Sequence, residues 1–452
     1  MSNRTEDASR LRGEVSSNPA DRIAWHNLAA AEGDLGRVVE AEAAARRAIA
    51  LGVAAPETRL VLARALQGQR RLDEAQQMFE EAVRLRPGYV EAHRDLAQLI
   101  WMRSADAPAS LALLDIALAT APGEPGLHLV RSVVLEFAGD PNGALAAAEA
   151  GMAHVPNDRP LLLQAAHLAL ACGDTPRGMS LAQRASLLAP AGSPPEMMTM
   201  CEALLAAGRI EEADGIAEEL VRALPNNQYA LALQATAWRL RGDRRHRALC
   251  DYAALVDTRK LDVPAGWPSL DAFLAALAAD LASLHPFESH PLQLSVRGGS
   301  QLHLQAPEIS RPLVGALFTS IAAAVQRHIA RIGQGADPLR SRNTGRFGFS
   351  GAWSVRLRSG GHHTDHVHPH GWISSACYVS LPQEMGRDDG DHSGWLRLGK
   401  PAIPTLPPLE AEHYVRPEPG LLVLFPAYMW HGVEPFTSRA DRLSVAFDVV
   451  PS

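Results

Sequence analysis

The sequence has little of three things: cysteine, positive charge and long apolar runs. Its four cysteines are scattered without a C-x-x-C pair, which argues against a disulfide framework or a thiolate zinc site and favours a reducing cytoplasm. The net charge of -7 offers no basic surface to a nucleic-acid backbone. No stretch reaches the ~18 uninterrupted apolar residues of a membrane helix, and the N-terminus lacks an apolar signal segment. We therefore expect a cytoplasmic protein that binds neither nucleic acid nor membranes.

The remaining composition is that of a globular protein. Of the 452 residues, 47% are hydrophobic and 21% are charged, which excludes the disordered class. The chain is also too long for one ordinary core, so its length predicts two or three domains.

Short matches that end in proline recur through the first half of the chain. They are 34 or 35 residues apart and end at Pro87, Pro122, Pro156, Pro190 and Pro225. This is the period of the tetratricopeptide repeat (TPR), a pair of antiparallel helices per unit, and the region closely resembles that repeat. A solenoid of roughly six such units has a concave face that commonly holds an extended peptide. The expected partner is a peptide or protein on that face, with scaffolding or dimerisation as the alternative.

The unit that ends at Pro87 follows the repeat most closely. It places Ala63, Ala75 and Ala82 where small residues let two helices approach, and Phe79 where a larger side chain fills the gap between units. A seventh helix pair is predicted after residue 226, with Gly242 in its turn.

The composition of the sequence changes after residue 255, where the alanine-rich repeats end. Residues 1–255 are predicted as the TPR solenoid. Residues 256–284 hold prolines and a glycine before an apolar helix capped by Ser269, and are predicted as a linker and connecting helix. Residues 285–452 contain short strands between Gly/Pro turns, which favours a double-stranded β-helix of the jelly-roll or cupin type. The expected fold class is therefore α + β, multidomain.

Five histidines fall within nine positions, between residues 362 and 370. Among them, His366 and His368 are two apart, so in an extended chain both side chains point to the same face. His431 lies 65 residues beyond His366, at the end of an apolar strand. Two ligands from one strand and a distant one from another can assemble a facial triad with open positions for iron. The sequence therefore predicts a metal site formed by these three histidines.

The C-terminal part resembles the 2-oxoglutarate- and Fe(II)-dependent oxygenases, specifically the oxygenase domain found behind TPRs in bacteria. The resemblance covers about residues 262–452 and depends on five ordered segments: SVRGGSQ, WSVRL, GGHHTDHVHPHGWISSACYVSLP, GLLVLFPAYMWHGVEPF and DRLSVAFD. It implies Fe(II) as the cofactor, 2-oxoglutarate as the cosubstrate, O2 as the oxidant and hydroxylation as the reaction.

The resemblance also implies a cosubstrate site. In these enzymes an Arg-x-Ser pair on the last core strand holds the far carboxylate of 2-oxoglutarate, and here Arg442 and Ser444 follow His431 at the expected interval. A guanidinium offers two parallel hydrogen bonds to a carboxylate, and Ser444 faces the same way as Arg442. Tyr378, on the strand after the first two histidines, is a candidate for a further hydrogen bond to the cosubstrate.

The stretch SVRGGSQ and one tryptophan supply candidates for the substrate pocket. Alternating residues on both sides of Gly298 and Gly299 predict a hairpin turn. Arg297 and Gln301 would then border the pocket. Trp372 is predicted as a wall of the pocket or as part of the core.

The sequence departs from the usual oxygenase motif at one ligand. The common motif is His-x-Asp or His-x-Glu, whereas the second position here is His368, so the site would carry one more positive charge. Asp365 adjoins His366, but neighbouring strand residues face opposite sides. The order of preference for the third ligand is His368, then water, then Asp365. The other histidines of the stretch are predicted as loop residues or supports of the ligands: His362, His363 and His370.

These residues predict a dioxygenase that hydroxylates a side chain of a peptide or protein captured by the solenoid. One alternative is a non-catalytic TPR interaction protein with a degenerate metal-binding barrel. Another is a three-histidine iron dioxygenase that does not use 2-oxoglutarate. The pair Arg442 and Ser444 speaks against this last alternative, since a thiol dioxygenase needs no site for a cosubstrate.

Overall fold

The structure is a computed structural model that describes residues 2–383, 385 and 390–452. It divides into two compact units, Met1–Leu161 and Leu162–Ser452. The helices of the first unit are α1 (Ser2–Ser17), α2 (Arg22–Asp34), α3 (Val38–Ala50), α4 (Pro56–Gly68), α5 (Leu72–Leu85), α6 (Val90–Ser104), α7 (Ala107–Thr120), α8 (Pro125–Phe137) and α9 (Pro141–His154).

The predicted repeats are helical hairpins, in which α2 packs on α3, α4 on α5 and α8 on α9. In the α4–α5 hairpin, Ala63, Ala75 and Ala82 are fully buried, and so is Phe79. Small residues thus let the helices approach, and the phenyl ring fills the remaining space. The turn between α2 and α3 places Gly36 at a φ of 72°, a conformation that favours glycine. The predicted TPR solenoid is confirmed.

Further helices follow in the chain. They are α10 (Arg159–Ala171), α11 (Thr175–Leu188), α12 (Pro194–Ala206), α13 (Ile210–Ala223), α14 (Gln228–Leu240), α15 (Arg244–Leu249), α16 (Tyr252–Leu255), α17 (Leu270–Ala282), α18 (Ala306–Ile309) and α19 (Pro312–Ile332). The predicted seventh pair is present as α14 and the short α15. Asn227 caps α14 through its side chain, and Gly242 forms the turn at a φ of 67°.

The C-terminal part of the chain is built on one antiparallel sheet. Its strands are β1 (Asp257–Lys260), β2 (Val296–His303), β3 (Phe347–His366), β4 (Ile373–Ser380), β5 (Leu396–Leu398), β6 (His413–Val415), β7 (Leu421–Pro426), β8 (His431–Val433) and β9 (Arg442–Pro451). They follow the order β1-β7-β4-β9-β3-β8-β5-β6, and β2 pairs with β3. Most neighbours in the sheet are distant in sequence, as in a jelly roll. The expected α + β multidomain fold is confirmed.

The segment predicted as a linker contributes a strand to this sheet. Asp257–Lys260 forms β1 and pairs with β7. Downstream of it, the hydroxyl of Ser269 caps α17 as expected, accepting a hydrogen bond from the backbone N–H of Ala272. Phe273 and Leu277 of α17 are fully buried in the same core as the sheet residues. The segment therefore belongs structurally to the sheet that follows it.

The hairpin predicted at Gly298 and Gly299 is wrong. Both glycines lie inside β2, where the register against β3 shifts between Arg297 and Gly299. Arg297 pairs with His362 and Gly299 with Leu357, so residues 358–361 of β3 lie opposite the single residue Gly298, whose φ is 64°. The extra residues of this β-bulge therefore belong to β3. Two adjacent glycines fit a turn and a bulge equally well, and only the pairing partner distinguishes them.

One described helix, α19, is long and apolar enough to cross a membrane by length and composition alone. Half of its most apolar window is buried inside the protein. Phe318 of this helix packs edge-on against Phe349 and Phe447 of the sheet. These contacts are those of a core helix that covers a sheet.

We predict that Gly299→Ala destabilises the protein by about 1–3 kcal/mol, because a methyl group there would overlap the backbone carbonyl of Arg356 on β3. The matched control is Gly348→Ala on β3, where a methyl group meets no atom within 4 Å. Urea denaturation followed by circular dichroism measures both. Equal unfolding free energies for the two variants would contradict the tight bulge.

Candidate metal centre

The sheet brings the three predicted metal ligands together. His366 ends β3 and His431 begins β8, and the two residues are partners in the β3–β8 pairing. The ring of His366 lies 4.1 Å from that of His431 and 5.1 Å from that of His368, measured between centroids. One nitrogen from each of the three residues lies within 4.8 Å of the other two. The three rings lie close together as the spacing of the histidines predicts, and their role as metal ligands stays a prediction.

Hydrogen bonds orient each ring through its Nδ1 atom. His366 Nδ1 lies 2.9 Å from the carbonyl oxygen of Thr364, and His431 Nδ1 lies 3.0 Å from that of Met429. His368 Nδ1 contacts the carboxylate of Asp448. A carbonyl or carboxylate oxygen only accepts, so each Nδ1 carries the proton and donates it. Each Nε2 then presents a lone pair, the form in which imidazole binds a metal.

Burial keeps the rings of His366 and His431 neutral. Desolvation, together with the neighbouring His368 ring, lowers the pKa of His366 to about 3. Burial, and then the nearby His366 ring, hold the pKa of His431 well below its ordinary value. Only 6% of His431 is exposed. Metal binding at neutral pH therefore requires no proton to leave these two imidazoles.

Asp365 is bonded elsewhere and faces away from the cluster. Its two carboxylate oxygens accept hydrogen bonds of 2.8 Å from Arg397, one from Nε and one from Nη2. The same guanidinium also pairs with Glu434 at 2.8 Å. A bidentate pair of this kind holds the carboxylate firmly. This geometry favours His368 over Asp365 as the third ligand.

The predicted cosubstrate residues form a buried polar pocket. Arg442 is 2% exposed, and its Nε and Nη1 atoms have no hydrogen-bond partner among the described residues. The hydroxyl of Tyr378 is buried and likewise without a partner in the described chain. The guanidinium carbon lies 5.2 Å from the centre of the Tyr378 ring, and Ser444 is opposite Tyr378 in the β4–β9 pairing. Burial lowers the pKa of Arg442. Several hydrogen-bond donors thus lie close together in a buried place, and three of their polar atoms find no partner among the described residues.

The candidates for the substrate pocket lie in different surroundings. Arg297, on β2, donates from Nη1 to the backbone carbonyls of Leu294 and Val296. Gln301 is half-buried on the same strand. Trp372 is fully buried, and its indole N–H donates to the carbonyl of Leu339. Trp372 therefore packs in the core, whereas a role of Arg297 and Gln301 in binding substrate stays a prediction.

Three residues near the ligands were outside the predicted ligand set. Ser295 places its hydroxyl 3.0 Å from His363 Nδ1 and 3.2 Å from His366 Nε2. His363, predicted as a loop or supporting residue, stacks on His366 with 6.0 Å between ring centroids. Asp448 lies 80 residues from its partner His368. Ser295 lies outside the motifs, and Asp448 ends the segment DRLSVAFD without any sign there of its partner, so only the pairing of strands reveals these contacts.

The last TPR helices hold both loops that carry the ligands. The indole N–H of Trp430, next to His431, donates to the hydroxyl of Thr236 on α14 at 2.9 Å. The ring of Tyr229 packs edge-on against Trp430 at 5.6 Å. The N–H of Gln228 donates to the carbonyl of Pro369, which follows His368. The metal centre therefore depends on α14 as well as on the sheet.

Comparisons with known families agree with this architecture. Residues 351–448 match a family model described as "Putative 2OG-Fe(II) oxygenase", and residues 56–99 match one described as tetratricopeptide repeat. The first match includes the three histidines and Arg442. The chain thus carries a tetratricopeptide-repeat region and a C-terminal part, residues 351–448, that matches the model of that oxygenase family.

Solved structures resemble the chain only distantly. The C-terminal part of a TPR protein from Cytophaga hutchinsonii is 13% identical, with a TM-score of 0.39, and the match covers 51% of this chain and 94% of that one. The type IV pilus biogenesis factor PilW is 19% identical, with a TM-score of 0.37 and coverages of 45% and 94%. The TPR protein YrrB is 17% identical, with a TM-score of 0.28 and coverages of 41% and 95%. No curated protein matches the chain significantly.

We predict that His368→Ala and Asp365→Asn differ sharply in metal binding. Removing a ligand should weaken Mn(II) binding by more than the roughly 10- to 100-fold that follows loss of a ligand's hydrogen-bond partner. Asp365→Asn should bind Mn(II) nearly as the unmodified protein does, since its carboxylate pairs with Arg397. Anaerobic isothermal titration calorimetry measures both affinities. The opposite ranking would make Asp365 the ligand, and undiminished binding by His368→Ala would favour water.

Proposed function

We propose that this protein is a 2-oxoglutarate- and Fe(II)-dependent dioxygenase that hydroxylates a side chain of a peptide or protein recruited by its TPR solenoid. The buried guanidinium of Arg442, two of whose nitrogen atoms have no partner among the described residues, is the observation that carries the proposal. A buried charge without a partner costs several kcal/mol (order of magnitude). A site that binds a carboxylate would recover that cost whenever the cosubstrate is present.

The donor set fits both proposed groups. Neutral imidazole is a common ligand of Fe(II), and three convergent nitrogens leave open positions for further ligands. The hydrogen-bond donors of Arg442, Tyr378 and Ser444 suit the far carboxylate of 2-oxoglutarate. When bound, Fe(II) with this cosubstrate and O2 supplies the oxidation, in which 2-oxoglutarate becomes succinate and CO2 while a hydroxyl group enters the substrate.

The residues of the chain would bind the iron and the cosubstrate, orient them and exclude bulk water from the site. His366, His368 and His431 would fix the geometry of the iron. Arg442, with Ser444 beside it, would hold one end of 2-oxoglutarate, so that the other end reaches the iron. Burial around these side chains excludes bulk water, which strengthens each charged contact.

A polypeptide substrate accounts for the solenoid. TPR domains commonly bind extended peptides on their concave face, and α14 joins the repeats directly to the loops at the metal site. We place the activity in the cytoplasm, where a reducing environment suits free thiols at the four cysteine positions: Cys172, Cys201, Cys250 and Cys377.

The alternatives predict different outcomes. A degenerate barrel would bind metal without forming succinate from 2-oxoglutarate. A three-histidine dioxygenase that does not use 2-oxoglutarate has no use for a buried Arg442 whose Nε and Nη1 lack partners in the described part of the chain. The pocket around this residue therefore favours the cosubstrate-dependent reaction.

We predict that Arg442→Lys weakens 2-oxoglutarate binding by roughly 10- to 150-fold, the equivalent of about 1.5–3 kcal/mol for hydrogen bonds to a charged group. Lysine keeps the charge but not the paired donors. The measurement is anaerobic titration of the Fe(II)-loaded protein with 2-oxoglutarate, following the visible charge-transfer band of cosubstrate on iron.

Arg439→Lys is the matched control, because Arg439 is exposed and lies three residues before Arg442. It should bind the cosubstrate as the unmodified protein does. If iron binds but no band appears, the proposed use of 2-oxoglutarate is wrong. If the band appears but oxygen yields no succinate, the non-catalytic alternative is favoured.

A further inference from the structure

Asp448 lies directly behind one of the three proposed ligands. Its Oδ2 atom accepts the hydrogen bond from His368 Nδ1, and its Oδ1 atom accepts one of 2.6 Å from the hydroxyl of Ser374. Asp448 is on β9 and pairs with Ser374 of β4. It is 6% exposed, and Ser374 is fully buried. Both carboxylate oxygens are therefore held in place inside the sheet.

The other two ligands lack such a partner. The Nδ1 protons of His366 and His431 go to neutral backbone carbonyls, those of Thr364 and Met429. His368 alone of the three donates to a carboxylate. It is also the residue that stands where the oxygenase motif usually has Asp or Glu. The unusual ligand and the unusual partner therefore coincide at one position.

We propose that Asp448 is a positioning residue that holds His368 as a metal ligand and supplies, through the imidazole ring, the negative charge that a carboxylate ligand would bring. This inference depends on the metal centre proposed above. A carboxylate that accepts the Nδ1 proton makes the opposite nitrogen a stronger donor to a metal. Together, His368 and Asp448 carry one negative charge, as a directly bound aspartate would.

Two geometric features make this arrangement stable. The hydroxyl of Ser374 donates to Oδ1 of Asp448, so Oδ2 is the oxygen that accepts the hydrogen bond from His368. The indole of Trp353 stands edge-on to the His368 ring at 6.0 Å and limits its rotation. The ring is thus fixed with Nδ1 toward Asp448 and Nε2 toward the neighbouring histidines.

The first test is Asp448→Asn, which removes the charge but retains an oxygen that can accept the His368 proton. We expect Co(II) affinity to fall by about 10- to 100-fold in an anaerobic competition with a chelator. In the Fe(II) and 2-oxoglutarate complex, the charge-transfer band should move to shorter wavelength because the iron is less electron-rich. A merely structural role of Asp448 would not move this band. Asp365→Asn, a buried carboxylate beside His366 that pairs with an arginine, is the matched control and should leave both readings unchanged.

The second test needs no variant. In the Zn(II)-loaded protein labelled with ¹⁵N-histidine, three Nδ1 protons are protected by the hydrogen bonds described above. The proton of His368 should resonate furthest downfield, because a hydrogen bond to a carboxylate is shorter and stronger than one to a carbonyl. His366 and His431 are internal controls. This measurement decides the question if Asp448→Asn fails to fold.

The outcomes separate the two proposals. If the unmodified protein binds none of these metals, the proposed function and this inference fail together. If it binds them, but Asp448→Asn has the same affinity and band, only the role of Asp448 is overturned. A His368 proton that resonates with the other two would overturn it as well.

Discussion

The site depends on one packing problem: three imidazole rings in contact inside a sheet, each with the same nitrogen turned inward. Buried imidazole rings without hydrogen-bond partners would destabilise the folded protein and could adopt several orientations. The chain solves this by giving every outer nitrogen an acceptor of its own, from Thr364, Met429 or Asp448. The pairing of β3 with β8 then sets the spacing of the rings. These hydrogen bonds and this strand pairing would therefore set the positions of the three nitrogen atoms around a bound metal.

The loops that hold the three histidines also join the last repeat helices to the sheet. Met429 and Pro369 lie in irregular loops, which sheet hydrogen bonds alone do not fix. α14 supplies the missing support, since Thr236 bonds Trp430 and the N–H of Gln228 bonds Pro369. A side chain or peptide that displaced α14 would also displace the ligands. The last helix pair thus belongs to the same compact unit as the sheet and is not only a tether for it.

Much of this architecture could be predicted from the sequence, and the reasons for the failures are physical. The regular spacing of prolines predicted the repeats, because each helix pair needs the same small residues at the same positions. The alternation of apolar and polar residues predicted strands, because one face of a sheet is buried. His366 and His431 could be chosen because they end and begin strands, and His368 because it lies two residues beyond His366. The bulge at Gly298 and the partner Asp448 could not, because both depend on which strands pair across long stretches of chain. Local sequence carries no record of such pairing.

The preference for His368 over Asp365 depends on the partners of the two side chains. The register of β3 against β8 shifts between His363 and His366, so simple alternation of strand faces does not place Asp365. Its carboxylate pairs with Arg397, whose guanidinium also pairs with Glu434. A carboxylate ligand would have to stand at position 368 itself. With a histidine at that position, the negative charge has to come from a residue behind the imidazole ring. Asp448 of β9 lies there, in contact with His368 Nδ1. Because Arg442 and Ser444 lie on the same strand, β9 contributes to both ends of the proposed site: the carboxylate behind His368 and the donors proposed for the cosubstrate. A shift of this strand by one residue would turn all three side chains to the other face and remove both contributions together.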